Sequence, residues 1–241
     1  MSVFGALVGV TLRALLARRR TILLALLAAL PVLIALLVRV GGGNPNEARI
    51  FEAIVRSVLP LVALVFGTAA LGGELEDGTA VYLLAKPVPR WQIVAAKALV
   101  AGSLAAGLSV ASTVGATVIA IGFSASAIGT AAAFGVAAAV ASFAYVALFV
   151  AASALTGRAL ILGLIYTLVW EGALAGILEG TRQFSVREAT IGIASLLAPA
   201  GTNLRGGLEP GGAVALVVVL IVGGLALASW RLGGWEVRGT E

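Results

Sequence analysis

The sequence predicts an all-α membrane protein with six transmembrane helices. A further helix is expected along the membrane interface at the N-terminus, and an external helical segment between spans five and six. Three observations carry this expectation. Hydrophobic residues make up 61% of the 241 residues and charged residues only 11%, against roughly 25% charged in a soluble domain. The mean hydropathy is +1.11. The apolar residues also come in runs close to the ~20 residues that cross a bilayer as a helix, with cations at the ends of the runs. Lipid offers the backbone no hydrogen-bond partners, so such runs satisfy their own groups as helices.

Residues 1–20 come first. Val3, Phe4, Leu7, Val8, Leu12, Leu15 and Leu16 are apolar, but a helix over Ser2–Leu16 covers only ~22 Å. It is expected to lie along the interface; a cytoplasmic extension of the first span is the alternative. The cluster Arg18, Arg19 and Arg20 precedes span one, expected over 21–40. Its apolar run Thr21–Val38 has 18 residues, longer than the core of a secretory leader, and no small-x-small cleavage site follows. It therefore reads as a retained span. Span two covers 57–73, with Pro60 near its start. Ala98–Gly157 contains 60 consecutive uncharged residues, too many for one crossing. The stretch GFSASAIG, Gly122–Gly129, divides it into spans over 93–122 and 128–156. A tight connection at Thr156–Arg158 leads to span five, 159–178, and span six covers 210–230.

Between the last two spans, Ser185–Glu188 reads SVRE, a capping-box pattern. The following stretch is too short to span and Pro199 stops it, which predicts a surface-lying or re-entrant external helix. Lys and Arg counts set the orientation. With the N-terminus inside, ten cations face the cytoplasm and six the outside, so both termini are expected to be cytoplasmic in a plasma or inner membrane. The whole chain reads as one transmembrane domain, without internal repeats.

Several function classes are excluded by composition. The chain has no Cys and no His, which removes disulfides, thiolate and imidazole metal sites, and every Ser-His arrangement. The basic balance, with a pI near 10.4, does not suggest nucleic acid, because the cations flank apolar runs and do not form aromatic-interleaved patches. No catalytic residue and no bound metal are expected.

Small residues recur four apart within the spans: Gly102 with Ala106, Ala111 with Gly115, Gly135 with Ala139. Such positions let helices approach closely in lipid. Ser109, Ser112, Thr113 and Thr117 read as hydrogen-bonders between helices. Glu171, in YTLVWEGALAG, is the only charge well inside a predicted span, and such a charge is a functional candidate by default. It is expected either to line a translocation path or pair with Arg182 or Arg187, or to sit in the outer interfacial belt and be neutralised locally.

The one long polar interruption is GGELEDGTAVYLLAKPVPRWQIVAAK, Gly72–Lys97. The acidic residues Glu74, Glu76 and Asp77 precede Thr79, a plausible N-cap, and suit the positive end of a following helix. A short helix over Thr79–Lys86 would end before Pro87, with Val81, Leu84 and Ala85 on one face. Arg90, Trp91 and Lys97 would anchor the start of span three. A loop that merely joined two spans could be four residues long, so this one is built to touch something, unless it is an ordinary interfacial loop with snorkelling cations.

This stretch resembles the signature of ABC-2 type transporter permeases. That signature is a Gly-Glu-x-Glu-x-Gly-Thr run closing span two, then Leu-Leu-Ala-x-Pro-Val-x-Arg, then a lysine entering span three. Gly73, Glu74, Glu76, Gly78, Thr79, Leu83, Leu84, Ala85, Pro87, Val88, Arg90 and Lys97 carry it here. The likeness extends over essentially the whole chain and is to the small permeases whose ATPase is a separate subunit. It implies that Thr79–Lys86, within a cytoplasmic loop over 74–92, is a coupling helix seated in a groove of an ABC ATP-binding subunit. The coupling residues would be Glu74, Glu76, Gly78, Thr79, Leu83, Leu84, Pro87 and Arg90, with two permease chains, expected to be identical, and two ATPase chains per assembly.

The sequence contains no G-x-x-x-x-G-K-[ST], and neither Lys86 nor Lys97 follows a glycine, so ATP and Mg are expected on the partner and no cofactor on this chain. The importer loop E-A-A-x-x-x-G is absent; EATIGIA from Glu188 lacks the glycine and falls on the outer side. With the importer loop missing, the resemblance implies an ATP-driven exporter subunit. Few polar groups are available within the spans, which favours a lipid-like or amphiphilic substrate over a strongly charged small solute. An ATP-independent channel or gradient-driven transporter is the alternative, and a non-transporting scaffold would leave the loop unexplained.

Overall fold

A computed structural model describes residues 3–16, 19–43, 45–76, 88–174, 179–199, 201–202, 204 and 207–234. Among these residues every regular element is helical. α1 spans Val3–Leu16 and α2 spans Arg19–Val40, with Pro31 inside it. α3, Glu47–Ala53, runs through a π-helical turn, Ile54–Val58, into α4, Leu59–Glu76. α5 and α6, at Arg90–Ile121 and Ala125–Leu155, are the longest elements. α7, Ala159–Ile165, continues as a π-helical stretch over Tyr166–Leu174. A 3-10 segment, Glu179–Phe184, precedes α8, Val186–Leu197, and α9 is Pro210–Gly233.

Five of the described helical stretches are long and apolar enough to cross a membrane: Thr21–Val40, Glu47–Glu74, Arg90–Ile121, Ala125–Leu155 and Pro210–Gly233. The expected fifth span is shorter among the described residues, an apolar helix over Ala159–Gly172, and 175–178 lie outside them. The helix containing span two reaches out to Glu47, where Asn46 caps it by accepting the Arg49 N–H at 2.9 Å. The apolar pattern alone could not register this extension, because Glu47, Arg49, Glu52 and Arg56 interrupt it.

Helix ends follow local chemistry. α5 stops where Gly122 takes φ +84°, a left-handed value that side chains rarely adopt. Ser124 then caps α6 by accepting the Ala127 N–H at 3.2 Å. The Arg39 guanidinium, at the end of α2, donates to the carbonyls of Ile119 and Ala120 at 2.6 and 3.0 Å. A cation thus sits on the negative end of α5 and covers carbonyls the helix itself leaves open.

α4, α5 and α6 make the centre of the bundle, with α2 packed on α5 and α9 on α6 and α5. α7 lies against α6 and α4, α8 against α6 and α9, and α1 against α5. The centre is tied by a stack of Phe51 on Phe134, ring centroids 4.2 Å apart. The outward faces of α2, α7 and α9 present Leu23, Leu37, Ile161, Ile165, Val219 and Val222 to the surroundings, as helices bordered by lipid do.

The small-residue positions fall at helix contacts. A Cβ on Gly102 would lie 2.4 Å from the Phe143 ring, one on Gly115 3.4 Å from Val32, and one on Gly135 3.1 Å from Val114. The expectation for the hydroxyls fails in part. Thr113 donates to the Ser109 carbonyl of its own helix at 2.7 Å, and the Ser109 and Ser112 hydroxyls bond no group among the described residues. Thr68, Thr130, Ser142, Ser153, Thr167, Thr190 and Ser229 likewise donate to the carbonyl four residues back. In an apolar surrounding the nearest carbonyl is the one on the preceding turn, so a hydroxyl needs no partner helix.

Candidate functional site

Two polar constellations stand out in this apolar bundle. The first flanks the interrupted loop. Glu74 lies in the last turn of α4 and Arg90, half-buried, opens α5 behind Pro89. Glu76 closes α4, its side chain outside the described set. Gly78, Thr79, Leu83, Leu84 and Pro87 lie outside the described residues, and with them the expected coupling helix Thr79–Lys86. Trp91 is exposed beside Arg90, as an interfacial anchor would be.

Lys97 is the structural surprise here. Its position two turns into α5 suggested an interfacial anchor, yet it is 3% exposed. Its ammonium donates to the Ala70 carbonyl and to Glu74 Oε1, both at 2.7 Å. A buried ammonium is tolerated only with such partners. Sequence reasoning read Lys97 as an interfacial anchor and as the lysine of the family signature, not as a buried tie to α4; the available signal was a lysine at the head of a 60-residue uncharged run.

The second constellation surrounds Glu171, which is 2% exposed. Its Oε1 accepts the Tyr166 hydroxyl at 2.9 Å and the Val186 N–H at 2.8 Å. Its Oε2 accepts the Ser185 hydroxyl at 2.5 Å. Ser185 is the N-cap of α8, so the carboxylate sits on the positive end of that helix, where negative charge is favoured. Phe149 closes the floor, edge-on to Tyr166 at 6.4 Å and stacked on Tyr145 at 6.0 Å.

The predicted capping box forms by half. Ser185 Oγ accepts the Glu188 N–H at 3.2 Å, but the Ser185 N–H donates to the Arg182 carbonyl instead of to Glu188. The Glu188 carboxylate is engaged elsewhere, with Arg187 at 2.8 Å and with the Gly207 N–H at 2.9 Å. Arg187 also donates to the backbone carbonyl of Glu171 at 3.0 Å, not to its carboxylate, and Arg182 is exposed. The Glu188 carbonyl accepts the Leu208 N–H at 3.0 Å.

One continuous polar network therefore joins the π-helical stretch, α8 and the approach to α9. Every residue from Val186 to Ala194 is buried, so α8 is embedded in the protein and does not lie on its surface. Chemically this network is a fastening: each carboxylate oxygen meets a donor, and no cluster of acidic, His or Cys side chains suited to a metal occurs among the described residues.

Sequence reasoning had singled out Glu171 here and the SVRE motif, but not that Arg187 and Glu188 pair with each other. The same region depends on one close approach. A Cβ on Gly192 would lie 2.3 Å from the Leu208 carbonyl oxygen, and backbone cannot step aside as a side chain can. Gly192→Ala should therefore destabilise the chain by about 1–3 kcal/mol, read as a lowered unfolding midpoint in detergent; an unchanged midpoint would show that α8 can lift away from this contact at no cost.

No curated protein matches the chain. The family described as ABC-2 family transporter protein matches residues 12–231, a range that runs from within α1 almost to the end of α9 and takes in both constellations. The helical bundle, its membrane-length apolar helices and that match agree with the resemblance read from Gly72–Lys97: this chain belongs to the ABC-2 family of transporter membrane proteins.

Proposed function

We propose that this chain is the permease subunit of an ATP-driven ABC-2 exporter, acting as a pair of permease chains with two separate ATP-binding subunits. The observation that carries the reading is family membership in a sequence that itself holds no phosphate-binding P-loop. ATP closure of the partner subunits would push on the loop over 74–92 and shift α4 and α5 between inward-facing and outward-open arrangements. Both termini would face the cytoplasm, α1 would lie along the inner interface, and α8 would belong to the outer end. The scarcity of polar groups along the central helices supports an amphiphilic or lipid-like substrate that enters from the bilayer.

The test is a mild-detergent pulldown of the tagged chain from its native membranes. The expected result is a stoichiometric P-loop ATPase, lost or uncoupled when Gly78→Val is combined with Glu74→Ala while membrane insertion stays intact. A clean oligomer without any ATPase would overturn the reading in favour of a channel or gradient-driven transporter. Retention of the ATPase and of coupled transport in the double variant would remove the loop from its assigned role.

A further inference from the structure

Only eleven residues, 77–87, separate the described end of α4 from the stretch that opens α5. Two helices joined by a loop can answer a push on it in two ways. They can splay, so that the motion dies in the loop, or they can move together. Lys97 bears directly on that choice. Its ammonium reaches two points on α4 that lie one helical turn apart, the Ala70 carbonyl and the Glu74 carboxylate. A single contact would fix only the separation of the helices; two contacts a turn apart also resist rotation of one about the other. The ammonium is buried while the Glu74 carboxylate is partly open, so a Lys97 left without its partners would be a charge held away from water, which is costly. Farther along, α4 and α5 both pack on α6, which carries any joint displacement into the bundle.

We propose that Lys97 is a positioning residue for energy coupling: it rivets the outgoing and incoming helices of the loop into one lever, so that an ATP-binding partner seated on the loop moves α4 and α5 as a single body. This rests on the function proposed above. Arginine can keep a donor on both acceptors, whereas methionine fills the space and keeps none.

The absence of cysteine from the chain allows a test that needs no knowledge of the substrate. A single reporter cysteine is introduced at Phe184, just before α8, or in a second chain at Leu196, in the last turn of α8, both exposed. Its labelling by a membrane-impermeant maleimide is followed in the co-purified complex, with and without vanadate-trapped nucleotide. In the complex without a Lys97 substitution, trapping changes the labelling rate at one or both sites by about fivefold or more. With Lys97→Met added, the ATPase still co-purifies and hydrolyses ATP, but the nucleotide-dependent change disappears; Lys97→Arg restores it.

Three results would overturn the proposal. The Lys97→Met complex could keep the full change in labelling, or lose folded yield, ATPase binding and labelling response in parallel, as a purely structural contact would. Neither reporter could respond in the complex with Lys97 intact. A tagged chain without substitutions that brings down no ATPase is a different failure: it removes the transporter reading itself, before any Lys97 variant is compared.

Discussion

Arg187→Met should lower stability by about 3–5 kcal/mol, the cost typical of breaking a buried ion pair from one side. Arg187 and Glu188 are 5% and 6% exposed, so bulk solvent reaches neither side chain. Among the described residues the substitution leaves the Glu188 carboxylate with the Gly207 N–H alone and frees the Glu171 carbonyl, which Arg187 also covers. The double variant Arg187→Met with Glu188→Gln should recover most of the loss, because glutamine keeps an oxygen for Gly207 and carries no charge. Unfolding midpoints in detergent of the two single variants and the double variant decide the matter. A double variant as unstable as Arg187→Met would mean that the guanidinium contributes through packing or through Glu171, and not through the pair.

Glu171→Ala comes next in expected size, at about 3 kcal/mol, since it strands the Ser185 hydroxyl, the Tyr166 hydroxyl and the Val186 N–H at once and each unmet buried group costs about 1–3 kcal/mol before relaxation. The sensitive comparison is with Glu171→Gln. The amide retains one oxygen for Val186 and Tyr166, and the Ser185 hydroxyl can rotate to accept from the amide nitrogen. A fastening role therefore predicts a small loss of stability and retained transport for Gln, with α8 loosened only in Ala. Hydrogen exchange of the amides of Val186–Ala194 separates the two variants. Transport abolished in a fully stable Glu171→Gln protein would point instead to a carboxylate needed on the translocation path.

These two cases show which parts of the protein were legible in the sequence. The helices were, because a bilayer leaves only internally satisfied backbone and so makes apolar run length informative. Even there Glu47–Arg56 was hidden: its charges broke the apolar run, although Asn46 before Glu47 is an ordinary cap. The SVRE motif located the start of α8, and a lone Glu171 marked the region that fastens it. That Arg187 would pair with its chain neighbour, and reach only the backbone of Glu171, depended on the 3-10 segment that sets where Ser185 arrives, and no residue pattern encodes that placement. Lys97 was legible as an anchor and as the signature lysine, but not its acceptors on α4, since a carbonyl such as that of Ala70 looks the same at every position.

The π-helical stretches carry one residue more than an α-helix would over the same rise. Phe51 lies beyond the first of them, and its ring rests on Phe134. Glu171 lies inside the second. Deleting one residue from Ile54–Val58 would yield a more regular helix, yet it would turn everything toward Glu47 by about 100° and carry Phe51 off its partner. A deletion within Tyr166–Trp170 would swing the Glu171 carboxylate off the cap of α8 in the same way. At these two places the length of the chain is itself under constraint: residues there can be exchanged far more safely than they can be added or removed.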